Sequence, residues 1–335
     1  MKRKILSLGF FLMLSPLALI SQPKEWTLEE CIAHALQNNI QIKQQEIMTG
    51  YQVAALEQSK LKLLPTLNGS ASHNYSFGRA LDETTYEFTE NETVQSNNFY
   101  AGSNVTLFKG LVNYNTIQKN KYEVLASEQD LEQFRDNISL NIALAYLQIL
   151  LNRELVTATE AQVEMTKQQI DRTRKMVDAG SLARGNLLEI EAQAAREELQ
   201  LVNMRNQLTL SLLSLAQMLE LQTTDDFAVA IPAITLKDEA VDGNPVAIFA
   251  IAEKTRPEIL SAEYKLKSAE YDLAIARGNR SPQLSLGASM STRYNDKRAK
   301  PVTFGAYPFG EQLSDNLNYG LGFSLNIPIF NGWQV

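Results

Sequence analysis

Two periodicities divide the chain. Between residues 111 and 220 apolar side chains recur every seven positions. One register runs Ile117, Val124, Leu131, Ile138, Ala145, and a second runs Ile142, Ile149, Val156, Val163, Ile170, Val177. Residues 187–219 continue with Leu187, Ala194, Leu201, Leu208 and Leu215. Heptads sustained this long predict coiled-coil helices. No proline or glycine interrupts residues 111–179, and at 1.5 Å per residue that helix would span roughly 100 Å. Gly180 is placed to end it in a left-handed conformation. Asn186, with Glu189 three residues on, is placed to cap the next helix. Residues 111–220 therefore read as a helical hairpin with its tip at 178–187.

Four other segments alternate with period two, the mark of a strand. In 67–77 the residues Leu67, Gly69, Ala71, His73, Tyr75 and Phe77 oppose Asn68, Ser70, Ser72, Asn74 and Ser76. Segments 284–294 and 317–329 repeat the pattern strongly and 99–107 more weakly. The opposite face is mostly Ser, Asn and Gly. Long polar loops at 80–96 and 295–316 join strands of about ten residues, which suits a transmembrane β-barrel, although a soluble sandwich could alternate in the same way. Aromatics at Tyr75, Phe77, Phe99, Tyr294, Tyr319 and Trp333 are placed for interfacial girdles. Barrel closure takes about eight strands, so four imply an oligomer.

The chain also repeats itself. Residues 38–42 align with 255–259 at an offset of 217, and Leu64-Pro65-Thr66-Leu67 aligns with Ser281-Pro282-Gln283-Leu284 at the same offset. Val105–Gly110 aligns with Ile327–Gly332 at 222. The reading is a duplication. A first repeat, 22–235, comprises helix 38–63, strands 64–79 and 97–109, the hairpin 111–220 and an equatorial belt 221–235. A second, 236–335, comprises helix 254–279 and strands 282–294 and 317–330. The second repeat stops at Val335, so it is expected to be truncated, lacking about a hundred residues that would mirror 111–220. Helices 38–63 and 187–220 together nearly match the long helix beside them, with irregular belts expected at 22–37 and 221–254.

Lys2, Arg3 and Lys4 precede an apolar run from Ile5 to Ile20, which reads as a signal peptide, residues 1–21. The run is short for a spanning helix. A net charge of −7 disfavours nucleic acid as a partner. Cys31 is the only cysteine, so an internal disulfide framework is excluded. Only two histidines occur, His34 and His73, and they share no motif. No phosphate loop, nucleophile elbow or paired cysteines were found, so no cofactor is expected and an enzyme is disfavoured. Acidic pairs such as Glu197-Glu198 read as solvated faces.

The segment Trp26-Thr27-Leu28-Glu29-Glu30-Cys31-Ile32, with Ala35-Leu36, Asn38-Asn39, Leu64-Pro65, the Phe-x-Gly turns and the Ala179-Gly180 tip, resembles the TolC family of outer-membrane efflux proteins. The resemblance implies an α+β membrane protein: a homotrimer whose subunits each give four strands to a β-barrel in outer-membrane lipid, above a coiled-coil α-helical barrel crossing the periplasm. It implies a passive duct of a tripartite efflux or type I secretion system, with a periplasmic adaptor protein and an inner-membrane transporter as partners. Ala179, Gly180, Ser181 and Leu182 would meet the adaptor. Family members often carry an aspartate that constricts the pore, and the matching position here is Asn186. The hairpin alone would also suit a periplasmic adaptor or scaffold, but the four strands and the repeat do not. A non-functional fragment of a duct is the remaining alternative.

Overall fold

A computed structural model describes residues 25–79, 87–88, 91–222, 227–232, 244–300, 305–330 and 332. In chain order the elements are β1 (Glu25–Trp26), α1 (Leu28–Asn38), α2 (Ile40–Leu61), β2 (Thr66–Gly78), β3 (Glu92–Lys109), α3 (Val112–Asp178) and α4 (Arg184–Met218). They continue with β4 (Ala228–Val229), α5 (Pro245–Thr255), α6 (Pro257–Gly278), β5 (Gln283–Asn295), α7 (Phe309–Asp315) and β6 (Asn318–Asn326). Two compact units result, Met1–Lys43 with Arg135–Val241, and Gln44–Phe134 with Asp242–Val335. The expected signal peptide lies outside the described residues, as do Trp333 and parts of the belt.

In the first unit, α1 begins with a capping box. Glu30 N–H donates to Thr27 Oγ1 (3.2 Å) and Thr27 N–H donates to Glu30 Oε2 (3.0 Å), which satisfies donors that a helix start leaves open. The helix places Cys31 and Ala35, both fully buried, against Ile142, Tyr146 and Ile149 of α3 and Leu215 and Ala216 of α4, with Leu219 just beyond. Tyr146 Oη lies 2.6 Å from Ala230 O and 3.1 Å from Trp26 O. Its hydroxyl thereby fastens both sides of the parallel β1–β4 pair. Within the belt expected at 22–37, residues 28–37 are regular helix, because the capping box gives α1 its own start.

The α3–α4 hairpin packs on the heptad positions. Val156, Val163 and Ala194 are buried, and so are Asn152, Thr166 and Thr173. The register of Ile117 and Ala145 continues past residue 145 as these small polar side chains. At the margin three ion pairs step by seven residues: Arg205–Glu160 (2.6 Å), Lys167–Glu198 (3.3 Å) and Arg174–Glu191 (3.2 Å). Their side chains are about half exposed, so each contributes about 0–1 kcal/mol. Glu198 sits in that solvated row, but Glu197 turns into the hairpin. It accepts from Gln193 Nε2 (3.0 Å) and Gln162 Nε2 (3.3 Å). Hydrogen bonding to Thr166 and then Gln193 holds its carboxyl below the ordinary range.

The second unit takes residues 112–134 of α3 and packs them on α2 and α6. Hydroxyls mediate the contact: Ser268 Oγ donates to Glu123, Ser261 Oγ donates to Asp130 Oδ1 (2.5 Å), and Thr49 Oγ1 meets Ser127 Oγ at 2.9 Å. Ser261 and Ser268 are buried, so the helices approach closely there. Where β3 turns into α3, Gly110 has φ +50°, and a Cβ on Gly278 would lie 2.8 Å from Val112 Cγ2 and closer still to Gly110 O. Only glycine allows that approach.

The helix expected over 38–63 is α2, which starts at Ile40. Asn39, at φ −58° and ψ 126°, ends α1, and its Oδ1 accepts from Gln41 N (2.9 Å) and Ile42 N (3.3 Å) to start α2. A side chain that caps the backbone outcompetes helix propagation at that point. The helix expected over 254–279 is α6, and the end of the belt expected at 221–254 is α5; the two meet at Arg256, where Pro257 disfavours helical geometry at the preceding residue.

Candidate functional site

A four-stranded antiparallel sheet in the order β2-β3-β5-β6 carries two chemically opposite faces. Directly paired residues share a face. The pairs Ala71↔Phe99, Ala101↔Met290, Ala288↔Leu321 and Leu286↔Phe323 build one face. Leu67, Phe77, Leu321, Phe323 and Leu325 on it are largely exposed, Leu321 to 75%. The pairs Asn68↔Gly102, Ser72↔Asn98, Gly102↔Ser289 and Ser289↔Gly320 build the other, mostly of small uncharged groups, with Tyr100 and Arg293 as its large side chains. β2 and β6 are the outer strands of this open sheet.

The strands differ from expectation at their ends. β3 starts at Glu92, which shortens the loop expected at 80–96. β6 ends at Asn326 rather than 330, since Pro328 cannot donate to a ladder. The loop expected at 295–316 contains α7, anchored by the buried Gln312. Its Nε2 donates to Asn295 O (2.9 Å) and Tyr307 O (2.8 Å), and its Oε1 accepts from Asn295 N (3.0 Å). Phe309 of α7 packs on the apolar side, 4.9 Å between ring centres from Tyr294 and 6.4 Å from Phe99.

At the hairpin tip the chain reverses in few residues. Gly180 has φ +73°, its N–H donates to Val177 O (2.9 Å), and Ser181 N–H donates to Met176 O (3.0 Å). This is the paired-bond stop that a left-handed residue permits. Ser181 Oγ adds a bond to the same Met176 O (2.8 Å). Leu182 follows, half-buried, while Ala179, Gly180 and Ser181 are exposed. The cap of α4 is then Ala183, extended at φ −76° and ψ 142°, with no side-chain hydrogen bond. The expectation that Asn186 caps α4 is corrected. The compact stop lets the helix restart at Arg184, which leaves Asn186 inside the first turn with its N–H on Ala183 O (3.0 Å) and its side chain exposed. Glu189 therefore has no cap to complete.

Residues 31–220 match the family "Outer membrane efflux protein", and the chain belongs to that family of outer-membrane proteins. It is 22% identical over 309 residues to the outer membrane efflux protein BepC of Brucella suis biovar 1 (strain 1330), covering 92% of this chain and 62% of that protein. It is 23% identical over 296 residues to the outer membrane protein TolC of Escherichia coli (strain K12), covering 84% of this chain and 54% of that protein. The chain thus spans less than two thirds of these relatives. Its fold matches the crystal structure of the CmeC outer membrane channel of Campylobacter jejuni with a TM-score of 0.77 at 20% identity, covering 92% of this chain and 62% of that one.

Sequence reasoning missed the Thr27–Glu30 box, although Thr-x-x-Glu stands in the segment that carries the resemblance. It also missed Tyr146 as a clamp, since a tyrosine one position beyond Ala145 in a heptad helix gives no local sign of its distant carbonyl partners.

Proposed function

We propose that this chain is a subunit of an outer-membrane export duct, passive and without catalysis, serving a tripartite efflux or type I secretion system. The observation that carries the reading is the sheet. One face presents exposed leucines and phenylalanines suited to hydrocarbon, and the other presents serine, asparagine and glycine suited to water. Open edges at β2 and β6 call for strands of further copies, because an unpaired edge cannot face lipid. A homotrimer with twelve strands meets that need. Internal duplication supports the same architecture: α1 and α5 are each eleven residues long, both are followed by a one-residue break, and the breaks at Asn39 and Arg256 keep the spacing of 217.

In this reading the signal peptide of residues 1–21 is cleaved on export. The turn Ala179–Leu182 meets a periplasmic adaptor, which joins the duct to an inner-membrane transporter. Asn186, polar but uncharged in the first turn of α4, lines the constriction.

The test uses single cysteines in the full chain reconstituted in liposomes. Cys31 is fully buried, so the parent gives a silent background. Ser289→Cys on the polar face is expected to react with a membrane-impermeant thiol reagent, and Leu321→Cys on the apolar face is expected to stay unlabelled. Equal labelling of both would remove the barrel from the reading.

A further inference from the structure

The polar face of the sheet has one exposed aromatic among the described residues, Tyr100. It pairs with Ser70 on β2 and Ser291 on β5, and its neighbours on that face are Asn68, Ser72, Asn98, Ser289 and the exposed Arg293. The ring does not stand up from the sheet. A Cβ built on Gly102 would lie 2.7 Å from Cζ and 2.8 Å from Cε1 of Tyr100, and nearer still to its hydroxyl. The phenol therefore lies down over Gly102, which can only be glycine while the ring stays there. With one side on that floor, Tyr100 remains 49% exposed. Tyr100 lines a groove of about 520 Å³ together with Asn68, Asn104, Gly287, Ser289 and Gly322.

A flat ring with its free face turned to water is a stacking platform. Offset stacking of a second planar ring is its favoured contact. The charged neighbour on the face is Arg293, paired with Asn98, with Asp315 lining the adjoining pocket; a guanidinium beside the ring does not favour a further cation as the stacked ligand. The amides and hydroxyls around the groove can take the polar substituents of a small ring compound.

We propose that Tyr100 is a stacking site in the duct lumen for planar aromatic solutes. This inference rests on the duct reading, which turns the polar face to the lumen. The site is shallow and open, so binding is weak, and repeated brief stacking is what a conduit requires of a contact that must also release its cargo.

The test is saturation-transfer NMR on the full chain in nanodiscs of phosphatidylethanolamine and phosphatidylglycerol. Nicotinamide is the water-soluble planar probe and glucose the comparator. Binding of nicotinamide is expected to weaken roughly two- to tenfold in Tyr100→Ser and to stay within about twofold in Tyr100→Phe, which keeps the ring. Gly102→Ala, which lifts the ring off its floor, is expected to weaken binding as well. Equal nicotinamide binding in the parent and Tyr100→Ser overturns the inference, as does a Tyr100-dependent signal for glucose alone. Thiol labelling of Ser289→Cys separates the two levels. If that cysteine is labelled and Tyr100→Ser is silent, the stacking site fails and the duct stands. If Ser289→Cys is protected, the duct fails and the site falls with it.

Discussion

Helices α1 and α5 have the same length and the same position before a one-residue break, and they have opposite surroundings. In α1, Cys31 and Ala35 are fully buried in a cluster supplied by α3, α4 and the β1–β4 pair. In α5, Val246, Ile248, Phe249 and Ile251 are all substantially exposed, Phe249 to 64%, and no residue of the helix is buried. The more apolar of the two helices is the less covered. Burial therefore follows from the presence of a packing partner, not from the helix's own composition. A short helix gains most of its stability from such packing.

Breaking the cluster around α1 is expected to have the largest effect. Ile149 is 1% exposed, and Ile149→Ala is expected to cost about 2–5 kcal/mol through lost contact and the cavity left behind. Hydrogen exchange should show the amides of Leu28–Asn38 losing protection while those of α5 are unchanged.

A smaller effect is expected at Tyr146. Burial, followed by the nearby Cys31 and Glu29, raises its hydroxyl above the ordinary 10.0. A raised folded value means that the contribution to stability is complete below about pH 10 and is lost as pH rises through the folded value. Tyr146→Phe should cost about 1–2 kcal/mol at neutral pH and abolish that alkaline decline in a thermal melt. A decline that persists unchanged would assign it to another group.

The smallest effect sharpens the contrast. Phe249→Ser on α5 should change stability by no more than about 0.5 kcal/mol, as surface positions do. A drop comparable with that of Ile149→Ala would mean that α5 is covered in the protein as it assembles.

Much of this architecture was legible because it is periodic. The seven-residue spacing from Ile142 to Val177 gave the hairpin, and the alternation from Leu67 to Phe77 gave a strand whose faces the register bears out. The Gly180 stop was legible because a left-handed residue has few substitutes. What escaped was non-periodic. Asn39 breaks a helix that its apolar neighbours would continue, because one side-chain oxygen captures two backbone N–H groups. Asn186 looked like a cap, but capping depends on where the previous turn ends, and the double bond at Gly180 and Ser181 ends it early. Thr166 and Thr173 continue a heptad in polar residues, so the apolar repeat of that register ends at Ala145. Tyr100 was legible as a strand residue, but only the register assigns it to the polar face.

The ion pairs along the hairpin also carry an address. Read along α3, the three charges of Glu160, Lys167 and Arg174 are negative, positive, positive, and their partners Arg205, Glu198 and Glu191 answer with the opposite signs. A heptad seam tolerates sliding by seven residues, since one apolar layer then replaces another. This charge order does not. A slip one way sets Glu160 against Glu198, and a slip the other way sets Lys167 against Arg205. Contacts too exposed to add much stability can still forbid the wrong alignment, and so fix which layer of α4 faces each layer of α3 within the hairpin.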